Sequence, residues 1–157
     1  DLKSVADIVI DSTSLDVKGI KQKVYNEFAT IQSHQGVAIV TFGFKRGIPK
    51  DCDMVFDTRF LENPHYVKEI KDYTGKDTRV REYVFRDGRA EDFCMHILNL
   101  LLLVLKDYQR EGKQLLTIGV GCTGGKHRSV AVGERLKELL IENGYNVETF
   151  HRNLLMD

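Results

Sequence analysis

The sequence carries no excess of either charge, with 23 lysines and arginines against 23 aspartates and glutamates. That balance excludes a global pull toward nucleic acid or an anionic membrane, so any such contact has to be a local patch. Cysteine is scarce. Cys52, Cys94 and Cys122 form neither a metal-ligand spacing nor an even disulfide set, so neither a metal site nor a disulfide scaffold is expected, and the chain suits a reducing cytoplasm. Long apolar runs are missing too: the longest, Leu100 to Leu105, falls far short of the roughly 18 to 20 residues that cross a bilayer. No signal peptide, internal repeat or low-complexity tract is visible. What is present is 157 residues, 42% of them hydrophobic, enough for one domain with a sizeable core. The chain begins at Asp1 and runs at once into VADIVIDST, as a domain excised from a longer protein would.

Hydrophobic patterning predicts alternating strands and helices. Ala6 to Ile10 reads as a strand followed by the capping residues Ser12 and Thr13, then a helix with Val17, Ile20, Val24, Phe28 and Ile31 as its apolar stripe. Val37 to Phe42 and Met54 to Phe56 read as further strands, while Asp57 to Val80 shows little periodicity and reads as a long loop. Gly88 to Glu111 reads as the longest helix, buried through Phe93, Ile97, Leu98, Leu101, Val104, Leu105 and Tyr108. A strand before Cys122, a helix to Asn143 and a strand from Asn146 to Phe150 complete the order. The expected fold is a single-domain α/β sandwich with a mainly parallel central sheet and helices on both faces.

The densest chemistry lies in TIGVGCTGGKHRS, Thr117 to Ser129, where four glycines and a Lys-His-Arg run join a strand to a helix. A helix N-terminus offers unpartnered N–H groups and a positive dipole, so the loop is suited to hold an anion. Gly121, Gly124 and Gly125 permit close backbone approach, and Arg128 can grip two oxygens of a phosphate at once. The loop is no Walker A motif, because Val120 stands at the first glycine position and His127 follows Lys126. Nor is it a dinucleotide fingerprint, lacking a suitably placed acidic residue. Cys122, Arg128 and Ser129 do match the Cys-x5-Arg-Ser spacing of cysteine-dependent phosphatases, with Asp57 as the acid of that alternative. The usual preceding histidine is Gly121 here. A tight strand-to-helix turn with Cys122 as filler is the plainer alternative.

In open parallel sheets ligands gather beyond the carboxyl ends of the strands, which groups this loop with Ser12, Gly43 to Gly47 and Asp57 to Arg59. A phosphorylated polyol fits such a site, with Asp57, Asn63 and His65 as partners for hydroxyl or amino groups. Two roles stand open for Asp57: binding an ammonium group, or capping and pairing with Arg59.

FGFKRGIP (Phe42 to Pro49), DMVFDTRFLENPHY (Asp53 to Tyr66), TGKD (Thr74 to Asp77), GCTGGKHRSV (Gly121 to Val130) and HRNL (His151 to Leu154) occur in this order. Together they closely resemble the C-terminal domain of the RapZ/YvcJ family of bacterial proteins. Full-length members carry an N-terminal P-loop nucleotide-binding domain that this sequence lacks, so nucleotide hydrolysis is not carried over. The resemblance implies a non-catalytic cytoplasmic adapter without a cofactor. It would sense a phosphorylated amino sugar such as glucosamine-6-phosphate, contact small regulatory RNA or a protein partner, and self-associate. Carried over by position, the sensor residues are Asp57, His65, Cys122, Thr123, Gly124, Lys126, His127 and Arg128, with Asn63 and Gly125 beside them and Lys45 as a secondary candidate. For RNA the candidates are Lys45, Arg46, Arg79, Arg81, His151 and Arg152. Enterobacterial members carry a basic tail where this sequence has Leu154-Leu155-Met156-Asp157, which removes expected phosphate contacts.

Overall fold

The computed structural model describes residues 36–154. The strand expected at Ala6 to Ile10, the capping residues Ser12 and Thr13, and the helix through Ile31 lie outside the described residues. Within them are four strands, β1 (Gly36–Gly43), β2 (Met54–Asp57), β3 (Leu115–Cys122) and β4 (Asn146–His151), and three helices, α1 (Thr78–Phe85), α2 (Arg89–Arg110) and α3 (Arg128–Glu142). The strands form one parallel sheet in the order β2-β3-β1-β4. This is the α/β fold with a parallel sheet that the patterning predicts.

The β-branched run of β1 favours extended backbone, and its alternation selects the core face. Val37 and Ile39 are buried on that face, joined by Leu116, Ile118 and Val120 of β3. Leu101 and Leu105 of α2 and Leu136 and Leu140 of α3 enter the same hydrophobic cluster, so α2 and α3 cover this side of the sheet.

Two sequence expectations change. The stretch from Asp57 to Val80 is not loop throughout: Pro64–Tyr66 forms a 3-10 turn, and α1 begins at Thr78. Asp77 caps α1 by accepting a hydrogen bond from the Arg79 N–H, while only Val80 and Val84 are buried. One pair of apolar residues four apart is too short a stripe to register as periodicity. In α2 the buried side includes Ala90 and Cys94, whereas Phe93, Val104 and Tyr108 are only half-buried. Burial pushes the Cys94 thiol up to about 12, so it acts as a small apolar filler. Among the described residues no group of histidines, cysteines and carboxylates is placed to hold a metal, and no helix is long and apolar enough to cross a membrane.

Candidate anion site

Parallel register brings three strand ends together, with Gly43 opposite Cys122 and Asp57 opposite Gly121. The edge is fastened by Thr58, whose N–H and hydroxyl both donate to the Gly121 carbonyl at 2.8 Å. From Cys122 the chain turns through the glycine loop into α3. Each crest of that loop is tied to another element: Lys45 N–H donates to the Thr123 carbonyl, and Gly75 N–H to the Lys126 carbonyl. Gly125 has φ of +77°, and a Cβ there would lie 2.6 Å from the Gly43 nitrogen. The loop therefore rests on the end of β1 with no side chain between them.

Arg128 opens α3, yet only 4% of it is exposed. Its Nη1 donates to the carbonyls of Arg59 and Leu61, each at 2.9 Å, and its Nη2 to Thr123 Oγ1 at 3.1 Å. These three acceptors fix the guanidinium plane. Its Nε has no hydrogen-bond partner and is the sole buried side-chain nitrogen or oxygen among the described residues in that condition. An unpaired donor on a buried cation carries a desolvation cost. The first intrahelical bond of α3 runs from Ala131 N–H to the His127 carbonyl, which leaves the amides before Ala131 outside the helix ladder.

Around Arg128 lies a cavity of about 470 Å³ lined by Lys45, Arg46, Asn63, His65, Tyr66, Cys122, Thr123, Gly124, Lys126, His127, Arg128 and Asn153. The lining has no carboxylate and concentrates the basic side chains of three separate segments, so the field inside favours an anion. Cys122 Sγ accepts a hydrogen bond from Gly125 N–H at 3.2 Å and stands 3.1 Å from Ser129 Oγ, closing the inner wall. His127 donates from Nε2 to the Lys71 carbonyl at 2.8 Å, and burial pushes its pKa down, so the ring is neutral near pH 7. Asn63 accepts from the His65 N–H and caps the short turn carrying His65 and Tyr66 into the cavity wall.

The structure thus brings together Lys45, Asn63, His65, Cys122, Thr123, Gly124, Lys126, His127 and Arg128, with Gly125 packed behind them. Asp57 is placed otherwise. It is absent from the cavity lining, and its two carboxylate oxygens accept from the Arg59 backbone N–H, Nε and Nη2 at 2.7–3.0 Å. The Arg59 side-chain hydrogen bonds hold its carboxyl below the usual range, with further help from the nearby Arg128 charge.

The RNA candidates stand in different settings. Lys45 and Arg46 belong to the anion cavity, Arg79 is paired with Asp77 and stacked on Tyr73, and Arg81 is paired with Glu138. His151 needs correction as a nucleic-acid contact. It is buried, bonded through Nδ1 to Thr41 Oγ1 at 2.8 Å and through Nε2 to Glu134 at 2.7 Å, because it is the inward-facing last residue of β4. Arg152 donates to the Gly47 carbonyl. Sequence reasoning missed Asn153, whose Oδ1 accepts from the Gly43 N–H at 2.7 Å and which lines the cavity. Its signal was available in HRNL, where an asparagine follows the last strand.

A family model described as the RapZ C-terminal domain matches residues 35–155. The chain is 42% identical over its whole length to a nucleotide-binding protein of Caldicellulosiruptor saccharolyticus, covering 54% of that protein. It is 44% identical over 98% of its length to a nucleotide-binding protein of Limosilactobacillus reuteri, covering 53% of it. A nucleotide-binding protein of Frankia alni gives 44% identity, again with 98% of this chain and 54% of the relative. The chain therefore spans about half the length of the curated relatives it matches. With most of its residues inside the matched span, the chain belongs to the RapZ C-terminal domain family.

Proposed function

We propose that the domain is a non-catalytic sensor that binds a phosphorylated amino sugar, resembling glucosamine-6-phosphate, through the Gly121 to Ser129 loop. Family membership supports a regulatory or adapter role. The observation that carries the ligand class is the buried Arg128 guanidinium, clamped by three protein acceptors and left with an unpartnered Nε beside a carboxylate-free cavity. A phosphate would compensate the charge of this buried guanidinium, and the helix N-terminus and Lys126 would supply further positive potential. The sugar would lie toward Asn63, His65 and Tyr66, while Asp57 stays paired with Arg59 outside the cavity lining. Occupancy would alter the cavity rim, where Lys45 and Arg46 are exposed, and so the contact with an RNA or protein partner.

One observation favours a phosphatase instead: Cys122 Sγ receives Gly125 N–H and sits beside Ser129 Oγ at the inner wall of the cavity. Against it, Asp57 is paired and its carboxyl held low, so at neutral pH it has no proton for a leaving group. Calorimetry with glucosamine-6-phosphate tests the sensor reading. Binding is expected and is lost in Arg128→Ala; no heat with this ligand or with related phosphosugars rejects it. Release of phosphate from a phosphomonoester panel, abolished by Cys122→Ser, would establish the enzyme in its place.

A further inference from the structure

Helix α2 carries a second pattern besides its buried stripe. Asp92, Met95, Asn99, Leu103 and Lys106 follow one another at intervals of three, four, four and three residues, so they share one stripe of the helix, and all of them are exposed. Leu103 is 70% exposed and Met95 39%, and the exposed Leu100 borders them. Neighbouring charges are already matched: Asp107 pairs with Arg110, and Glu91 with Arg135. Asp92 and Lys106, at the two ends of the stripe, form no ion pair among the described residues.

The stripe reads acid, apolar, amide, apolar, base, with equal spacing on either side of Asn99. We propose that it is an isologous interface through which two copies of the chain pair, α2 against α2. A second copy laid antiparallel about a two-fold axis at Asn99 sets Asp92 against the copy's Lys106, Met95 against its Leu103, and Asn99 against its own equivalent. The contact then runs roughly 21 Å along each helix, about four turns. A parallel copy faces Asp92 with Asp92 and Lys106 with Lys106, and is repelled. Sliding the antiparallel copy by one residue faces Asp92 with Asp107, so charge fixes the register as well as the direction. The two central amides hydrogen-bond to each other in that register and lose each other in the rest. Self-complementarity also selects the occupant, since only a second copy makes use of it.

Sedimentation equilibrium on the wild-type chain, Leu103→Glu, Asp92→Lys and Lys106→Asp, and on an equimolar mixture of the last two, tests this. The wild type should form a concentration-dependent dimer. Leu103→Glu should weaken it roughly a hundredfold, because the symmetry replaces two leucines at once. Each charge variant sets like against like at both ends of the contact and should weaken pairing by roughly tenfold. In the mixed dimer both ion pairs return, so the mixture should associate as the wild type does while neither variant does so alone, a rescue that loss of folding does not produce. Asp92→Lys/Lys106→Asp in one chain restores the same pairs and replaces the mixture if a single variant folds poorly. A wild-type chain that stays monomeric to roughly 100 μM, a dimer indifferent to Leu103→Glu, or no rescue in either the mixture or the double variant overturns the interface.

Discussion

Gly124 and Gly125 are neighbours in sequence with opposite tolerance for a methyl group. At Gly125 an added Cβ would sit 2.4 Å from Asn153 Oδ1, 2.6 Å from the Gly43 nitrogen and 2.8 Å from the Phe42 carbonyl carbon. Two of those atoms are backbone of β1, which is bonded on both sides to β3 and β4 and has nowhere to retreat. The residue also has φ of +77°, which costs an alanine roughly 1–2 kcal/mol before any contact is counted. Adding an overpacking cost of roughly 1–3 kcal/mol gives about 2–5 kcal/mol of lost stability for Gly125→Ala. At roughly 2–4 °C per kcal/mol for a domain of this size, Tm should fall by roughly 4–20 °C. At Gly124 nothing lies within 4 Å of the added carbon and φ is not positive, so Gly124→Ala should leave Tm within about 2 °C or raise it slightly through reduced unfolded-state entropy. Thermal unfolding followed by circular dichroism measures both. A Gly125→Ala protein that melts with the wild type, or a Gly124→Ala protein that loses as much, would refute the docking of the loop on β1.

Asn153→Ala should cost about 1–3 kcal/mol in urea unfolding, because it strips the acceptor from the buried Gly43 N–H. Combined with Gly125→Ala the loss should be less than additive, since the closest clash at Gly125 is with Asn153 Oδ1; strict additivity would count against the contact. Burial pushes the His151 pKa below its ordinary value of 6.5 despite the pull of Glu134, so the folded state holds the neutral ring. Its contribution to stability is then complete above pH about 6.5 and is lost as pH falls from there through the folded pKa. An NMR titration of the imidazole with a midpoint at or above 6.5 would contradict this. Arg135 bridges Glu91 of α2 and Glu138 of its own helix, and Arg135→Met should cost about 1 kcal/mol in urea unfolding, less at high salt; a salt-independent loss would point to packing rather than charge.

Legibility in the sequence follows the range of the interaction that decides each feature. β1, β3, α2 and α3 are set by runs of apolar residues long enough to show their period, and they appear where the pattern puts them. α1 depends on one cap and two valines, Val80 and Val84, and its helical signal drowns in the charged residues between them. In the site, the residues carried by the glycine loop were legible because the loop is contiguous. The clamp on Arg128 was not, since its carbonyl acceptors Arg59 and Leu61 lie 69 and 67 residues away and backbone carbonyls bear no side-chain signature. Asp57 and Arg59 stand two apart, so their pairing was one of two readable alternatives, and only geometry chose between them.

The HRN segment changes meaning for the same reason. Read as composition, His151 and Arg152 are cations near a chain end and suggest phosphate contacts. Read in register, they continue the parallel pairing of β4 with β1: Thr41 is opposite His151, its hydroxyl meets the imidazole, and its carbonyl accepts the Arg152 N–H. Asn153 then reaches Gly43 at the end of the same strand, and Gly43 is where the anion loop rests. Each residue of the segment therefore supports the floor of the cavity. The loop is therefore backed by the segment that follows β4 as well as by the end of β1.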